Sequence, residues 1–317
     1  MELMEDIERA YGLTCTEFRP VSGGWLNEKW RAETELGPVL VKKFSPRRYG
    51  NARRLAELEA ALQRQALLYD QGVPCPKIFL WGGKALRPTE DGTAYMVMEF
   101  RPGQNVSGGA TLPQLESLGD ACGRMKRAFS QLPFSGVKGW PVTGGQTLAV
   151  LKSHLEKIRE ERCPDEAFQQ AAALLEPIMR TLGPEFFCRL QTGIGHEDFT
   201  WDNLLFSESA LSAIIDFDRN AYGYVLHDVG RALLCFALEG EELNMEKVDA
   251  FARGYRRHLP LTGRDLSDAL KISWCVEVPW WIRPEYFSQD RGKAGRFRDE
   301  ILWVTRHWFR LDGLMNP

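Results

Sequence analysis

The chain has no apolar run near the length that crosses a bilayer. A spanning helix needs ~20 consecutive apolar residues, and no window of the 317 residues approaches that, so no membrane partner is expected. Nor is there an excess of one charge. Forty Lys and Arg stand against 43 Asp and Glu, a formal charge of −3. Binding a nucleic-acid backbone calls for a basic face, so no nucleic-acid partner is expected. Cys-x-x-Cys is absent, and the seven cysteines (15, 75, 122, 163, 188, 235, 275) are scattered. That speaks against a zinc site or disulfide framework and for idle thiols in a reducing compartment. Residues Met1-Glu2-Leu3-Met4-Glu5-Asp6 carry acid before any apolar stretch, so no secretory signal is expected and the expected location is cytoplasmic. There is no Gly/Ser-rich linker and no internal repeat. Gly-x-x-x-x-Gly-Lys-Ser/Thr is missing too, so a Walker-type nucleotide fold is not indicated.

What is present reads as two parts, in keeping with a length of roughly 100–200 residues per domain. Residues 1–12 form a short amphipathic pattern. Residues 16–44 read as strands. Trp30, Ala32 and Thr34 alternate with polar neighbours, and Val39–Phe44 is an apolar run ending in Lys42, Lys43 and Phe44. Residues 52–71 predict a helix that stops at Gly72. At ~100° per residue, Leu55, Leu58, Leu62, Ala66 and Tyr69 share one stripe. Glu59 lies on that stripe and Glu57 opposite it. An acid on an apolar face requires a partner. Residues 77–81 and 94–100 read as further strands, and Arg101-Pro102-Gly103 ends this part. Helices are expected at 112–132, 148–162 and 165–182, then a loop from 193 with two short strands, Asn203–Phe206 and Leu211–Phe217. Residues 227–317 read as mostly helical. The expected fold is α+β: a small β-sheet lobe with one main helix, then a larger, mainly helical lobe.

The chemistry lies in Gly195-His196-Glu197-Asp198-Phe199-Thr200-Trp201-Asp202-Asn203, followed by Ile214-Ile215-Asp216-Phe217-Asp218. Asp198 and Asn203 are five apart across a loop that feeds a strand, and Asp216 ends the next strand. A hairpin can bring Asn203 and Asp216 side by side. An amide oxygen and a carboxylate suit Mg2+, which takes one or two protein oxygens and leaves the rest to water and phosphates. Asp198 is then a carboxylate available to accept a hydroxyl proton. The bland reading of each residue is a turn cap, but their joint spacing favours function.

His-x-Asp-x-x-x-x-Asn followed by a metal-binding Asp resembles the catalytic core of kinases. Glu197 stands where protein kinases carry Arg, Asp218 where they carry Gly, and no Ala-Pro-Glu follows. With Asp228 in His-Asp-Val-Gly, the pattern is similar to the aminoglycoside phosphotransferase and choline kinase superfamily, with element order matching from about residue 16 to 240. The resemblance implies a bilobal protein-kinase-like fold: a nucleotide-binding lobe at 1–98, a catalytic and acceptor-binding lobe at 99–317, and a hinge near 99–103. It implies Asp198 as catalytic base and Asn203 and Asp216 as Mg2+ ligands. It further implies Lys42 as the phosphate-binding lysine, Glu59 as its helix partner, and Glu99-Phe100-Arg101 as the hinge whose backbone holds adenine. Ser22-Gly23-Gly24 would be the phosphate-covering turn. Asp218 is either a second metal contact or a solvated carboxylate. His196 reads as a loop brace and Asp228 as a loop anchor.

The implied activity is ATP- and Mg2+-dependent transfer of the γ-phosphate to a hydroxyl of a small-molecule acceptor. The family phosphorylates aminoglycosides, choline, homoserine and other hydroxyl compounds. The segment 57–76, ending Gly-Val-Pro-Cys-Pro, also resembles type II homoserine kinase, and His-Glu-Asp-Phe resembles spore-coat-associated members. Polycationic aminoglycosides need an acidic pocket, whereas residues 271–317 hold eight Lys/Arg and six Asp/Glu, although helix 242–258 and the acidic cluster at 239–242 could still supply carboxylates. Five of the ten tryptophans (274, 280, 281, 303, 308) also lie there, as helix packing or as an acceptor wall. The alternative is a catalytically silent kinase-fold scaffold, such as a spore-coat-associated protein, against which the intact Lys42, Asp198, Asn203 and Asp216 argue. A protein kinase is disfavoured by the missing Ala-Pro-Glu.

Overall fold

The structure, a computed structural model, describes residues 2–21, 27–106, 109–132, 144–287 and 292–316. In chain order its elements are α1 (Glu2–Tyr11), β1 (Cys15–Pro20), β2 (Glu28–Thr34), β3 (Gly37–Phe44), α2 (Pro46–Tyr49), α3 (Ala52–Asp70), β4 (Ile78–Phe79), β5 (Arg87–Pro88) and β6 (Ala94–Glu99). There follow α4 (Leu112–Ser130), α5 (Gly144–Glu160), α6 (Glu166–Thr181), α7 (Pro184–Arg189), β7 (Thr192–Gly195), β8 (Leu204–Phe206), β9 (Leu211–Ile214) and β10 (Ala221–Tyr224). The last are α8 (Leu226–Phe236), β11 (Leu238–Glu239), β12 (Glu242–Leu243), α9 (Met245–Tyr255), α10 (Gly263–Trp281), α11 (Lys293–His307) and α12 (Leu311–Met315). Two compact units emerge. The first is Met1–Gln104 with Asn203–Ser207 and Leu211–Asn220; the second is Asn105–Asp202 with Glu208–Ala210 and Ala221–Pro317. Among the described residues no helix is long and apolar enough to cross a membrane.

In the first unit an antiparallel sheet runs β1-β2-β3-β6-β4, with β5 on β6. Strand period sends alternate side chains to opposite faces. Val39 and Val41 of β3 join Ile7, Ala32, Tyr95 and Val97 in one apolar layer. Leu40 and Phe44 join Leu58 and Leu62 of α3, with Met96 and Met98, in the other. The same alternation puts Lys42 on the α3 side and leaves Lys43 to pair with Asp91 at 2.7 Å. Helix α3 starts at Asn51, whose side chain accepts from the Arg54 N–H, the usual N-cap bond. It ends before Gly72, whose φ of 76° suits glycine.

The β8–β9 hairpin pairs Leu204 with Ile214 and belongs to this unit. The Ile214 N–H donates to the Pro74 carbonyl at 2.7 Å, and Gln104 and Phe206 exchange two backbone bonds at 2.9 and 2.8 Å. The expected strand to Phe217 stops at Ile214. Asp216 turns left-handed, φ 64°, and Phe217–Arg219 form a 3-10 turn.

The second unit is mainly helical. Thr111 and Gln114 form a capping box on α4, and Thr262 and Asp265 another on α10. Helices α4 and α9 cross so closely that a Cβ on Gly254 would lie 1.9 Å from the Glu116 carbonyl oxygen. A two-stranded sheet, β7 with β10, pairs Gly195 with Ala221 and Gly193 with Gly223. The sequence alone reads as loop from 193, because Thr-Gly-Ile-Gly has little strand propensity. Pairing, and not composition, makes it a strand. Of the five C-terminal tryptophans, Trp274, Trp303 and Trp308 are buried, while Trp280 is 61% exposed.

Candidate functional site

In the first unit, Lys42 is the centre of a buried charge cluster. Its Nζ lies 2.8 Å from Asp216 Oδ1 and 2.6 Å from Asp218 Oδ2. Burial by itself would lower the lysine pKa. The two carboxylates outweigh that and hold the ammonium well above its ordinary value. The Asp218 side chain is buried. Burial is the largest influence on its pKa and raises it, the charge of Asp216 adds to the rise, and Lys42 offsets only part of it. Its Oδ1 is buried and makes no hydrogen bond.

Asn203 enters the same hairpin end. Its carbonyl accepts from the Ile215 N–H at 2.9 Å, one residue from Asp216. The end of this hairpin therefore carries the Asn203 amide and, through the left-handed turn, two carboxylates. Hard oxygen donors of this kind fit a small divalent cation that keeps several positions for water or phosphate. The side chain of Asp216 is 35% exposed, so this set is not sealed from solvent.

The turn is fixed to α3 by Asn220 and Arg64. Asn220 Oδ1 accepts from Arg64 Nε at 2.6 Å, and its Nδ2 donates to the Ala61 and Phe217 carbonyls at 2.8 and 2.6 Å. Both residues are buried.

The expected Lys42–Glu59 pair is corrected by the structure. Glu59 accepts instead from the Ala85 N–H at 2.9 Å, the Leu86 N–H at 2.8 Å and Gln63 Nε2 at 2.8 Å. A loop that supplies two backbone donors saturates this carboxylate, and Asp218 takes its place beside the lysine. The periodicity agrees with the structure in one respect: Glu59 is partnered, and Glu57, on the opposite side, pairs with its exposed neighbour Arg53. Sequence carried one signal for Asp218, a carboxylate two residues past Asp216 where kinases have glycine.

The segment 99–101 leaves the sheet at the end of β6, between β3 and β4. The Glu99 N–H donates to the Lys77 carbonyl at 2.8 Å and the Phe100 N–H to the Pro38 carbonyl at 3.0 Å. Glu99 Oε1 accepts from Arg101 Nη1 at 3.2 Å, and Arg31 stacks 4.6 Å over the Phe100 ring. The Glu99 and Phe100 N–H groups are thus engaged within the unit and not free for a base. Ser22, Gly23 and Gly24 lie outside the described residues.

In the second unit, the loop after β7 is gripped from below. Asp228, fully buried in the first turn of α8, accepts the His196 N–H at 2.8 Å and the Glu197 N–H at 3.0 Å, and also pairs with Lys126. Burial would raise the Asp228 pKa; Lys126 and the nearby histidines overcome this and hold it low. His196 is buried with its ring edge-on to Phe199 at 5.7 Å. Between these fixed points Asp198 is half-buried, and its carbonyl accepts from the Thr200 N–H at 2.9 Å. The loop holds one carboxylate between anchored neighbours, which suits a group that must meet a hydroxyl at hydrogen-bond range.

A family model described as a phosphotransferase enzyme family matches residues 17–261. Homoserine kinase of Azorhizobium caulinodans is 26% identical over 268 residues, 83% of this chain and 78% of that protein. Among solved structures, an amicoumacin kinase in complex with AMP-PNP, Ca2+ and Ami aligns with a TM-score of 0.64 at 17% identity, over 95% of this chain and 92% of that one. A microcompartment-associated aminopropanol kinase aligns at 0.59 and 16% identity, over 99% and 98%. These likenesses show a kinase-like α+β fold, as the resemblance implied.

Proposed function

The chain belongs to the phosphotransferase enzyme family and is a small-molecule kinase, and from that premise we propose that it moves the γ-phosphate of ATP to an alcohol oxygen of a small hydroxylated acceptor, homoserine being the first to test. The observation that carries this reading is the buried Lys42 with two carboxylates at the end of the hairpin that also holds Asn203. Lys42 would bind the nucleotide phosphates. Asn203 and Asp216 would hold Mg2+, with Asp218 either beside them or anchoring Lys42. When bound, the cation offsets triphosphate charge. Glu99, Phe100 and Arg101 would border the adenine.

Phosphoryl transfer depends on alignment and charge neutralisation more than on covalent help from the protein. Asp198 would accept the acceptor hydroxyl proton as that oxygen bonds to the γ-phosphorus. The bond from phosphorus to the β,γ-bridging oxygen breaks, and ADP leaves with the electron pair. No enzyme nucleophile is required. The acceptor-side lobe is not markedly acidic in its last 47 residues, where six Asp/Glu stand against eight Lys/Arg, which favours a small zwitterion or amino alcohol over a polycation.

The test is an ATP-consumption screen with Mg2+ against homoserine, amino alcohols, sugars and aminoglycosides. Turnover with at least one, lost in Asp198→Ala, is expected. Nucleotide binding with no turnover on any acceptor would favour the silent scaffold and overturn the proposal.

A further inference from the structure

Glu197 sits where backbone geometry disfavours it. Its φ is 63°, a left-handed conformation that glycine adopts freely and a residue with a Cβ does not. Its side chain is only 14% exposed. Room for the carboxylate comes from two strand glycines: a Cβ on Gly195 or Gly223 would lie 2.6 or 2.8 Å from Glu197 Oε1. Three residues therefore accept local constraints so that one carboxylate can point inward.

What it meets is His227, 2% exposed in the first turn of α8. Glu197 Oε2 lies 3.6 Å from His227 Nδ1, and on the other side Glu277 Oε1 lies 3.3 Å from Nε2. Glu277, from α10, also accepts from Trp281 Nε1. Neither ring nitrogen makes a hydrogen bond at these distances; the pairing is ionic, and an acceptor-only carboxylate facing each nitrogen favours the imidazolium, in which both nitrogens carry a proton. The other charges around the ring are Asp228 and Arg231 of its own helix, with Lys126 reaching Asp228 from α4. Burial on its own would depress the imidazole pKa. The two carboxylates outweigh it and push the value up to about 10, and Glu277 is in turn held down to about 2, against its own burial, by His227 and Arg231.

We propose that Glu197, His227 and Glu277 form a carboxylate–imidazolium–carboxylate clamp that ties the turn bearing Asp198 to helices α8 and α10, which makes His227 and Glu277 positioning residues for phosphoryl transfer. The proposal rests on the reading of Asp198 as the base. Asp228 holds this turn by its backbone N–H groups; the clamp holds the side chain between them. It also accounts for a non-glycine residue in the left-handed position, since only a side chain can reach the imidazole.

The decisive measurement is ring-nitrogen NMR on full-length protein labelled with 15N histidine, of which there are five. The signal lost in His227→Gln should show two protonated ring nitrogens at pH 8; a neutral tautomer there overturns the clamp. Glu197→Gly and Glu277→Gln supply a second arm. Both should speed hydrogen exchange at the 196–198 amides and lower kcat by roughly 10- to 100-fold, the scale of a misplaced reacting group, with KM for ATP within about twofold. Glu197→Gly relieves the backbone, so a merely structural Glu197 predicts slower or unchanged exchange and full kcat, and that result would refute the positioning role. If wild type turns over no acceptor, the functional reading falls, while the NMR and exchange results still decide the clamp.

Discussion

Replacing Asp218 by Asn separates two models of how Lys42 is held. The lysine side chain is 3% exposed and that of Asp218 4%, so the pair has little solvent to fall back on. Breaking a buried pair by removing one partner costs about 3–5 kcal/mol. Two features reduce that here. Asp216 remains 2.8 Å from Nζ, and the new amide oxygen can still accept from the ammonium. The repulsion between the two carboxylates also disappears. We expect a loss of about 2 kcal/mol, or a fall in Tm of roughly 4–8 °C at 2–4 °C per kcal/mol. A lysine left with one carboxylate is less well aimed, and Mg·ADP affinity should fall about tenfold, equivalent to 1.4 kcal/mol. Glu59→Gln is the control. It retains one amide oxygen for the Ala85 or Leu86 N–H and removes the other, at about 1 kcal/mol, with Mg·ADP affinity within about twofold. Differential scanning fluorimetry and titration calorimetry on both variants read these numbers. If Glu59→Gln weakens nucleotide binding more than Asp218→Asn does, Lys42 pairs with the helix glutamate in the working protein, and the reasoning is wrong.

Asp198→Ala should abolish transfer, by at least about 100-fold for a lost general base, and leave the calorimetric affinity for Mg·ADP unchanged; equal turnover would remove Asp198 from the chemistry. Asp216→Ala should weaken Mg·ADP binding and shift the Mg2+ dependence to higher concentration, and an unshifted Mg2+ titration would contradict its assignment. Asn220→Ala strips Arg64 of a buried acceptor and should cost about 2–3 kcal/mol, visible as a lower Tm. The clamp gives a pH signature. A histidine whose folded pKa is raised from about 6.5 to about 10 stabilises fully below pH 6.5 and loses that contribution as pH rises toward 10, by at most ~1.4 kcal/mol per pH unit. Buried thiols such as Cys75 and Cys235, pushed up to about 12, erode stability only above their ordinary ~8.5. Tm should therefore fall between pH 6.5 and 8.5 in wild type and be flat over that window in His227→Gln; parallel slopes would defeat the assignment.

Much of this was legible in the chain. Strand alternation separates Lys42 from Lys43, because only the former shares a face with Leu40 and Phe44. Helix α3 and its end at Gly72 follow from period and cap. The spacing of Asn203 and Asp216 indicated a hairpin, and a hairpin joins them. The misses have a common cause, which is long-range pairing. Thr192–Gly195 has no strand signature until Ala221–Tyr224 lies beside it. Glu59 needed a partner, yet nothing local says that the loop at Ala85 and Leu86 provides it. Glu197 and His227 are 30 positions apart and meet Glu277 another 50 along. Such contacts are set by the whole fold and leave no mark on local periodicity.

The first compact unit is not finished when its first 104 residues have been made. Lys42 has been committed to an apolar layer by then, but its countercharges, Asp216 and Asp218, belong to a stretch the ribosome has not yet reached, and Gln104 still lacks Phe206 as its ladder partner. An N-terminal fragment cut anywhere between 105 and 202 would thus contain an ammonium group with nowhere to place its charge. Such a fragment should remain unfolded by itself, and co-expression of the two halves should restore structure to both.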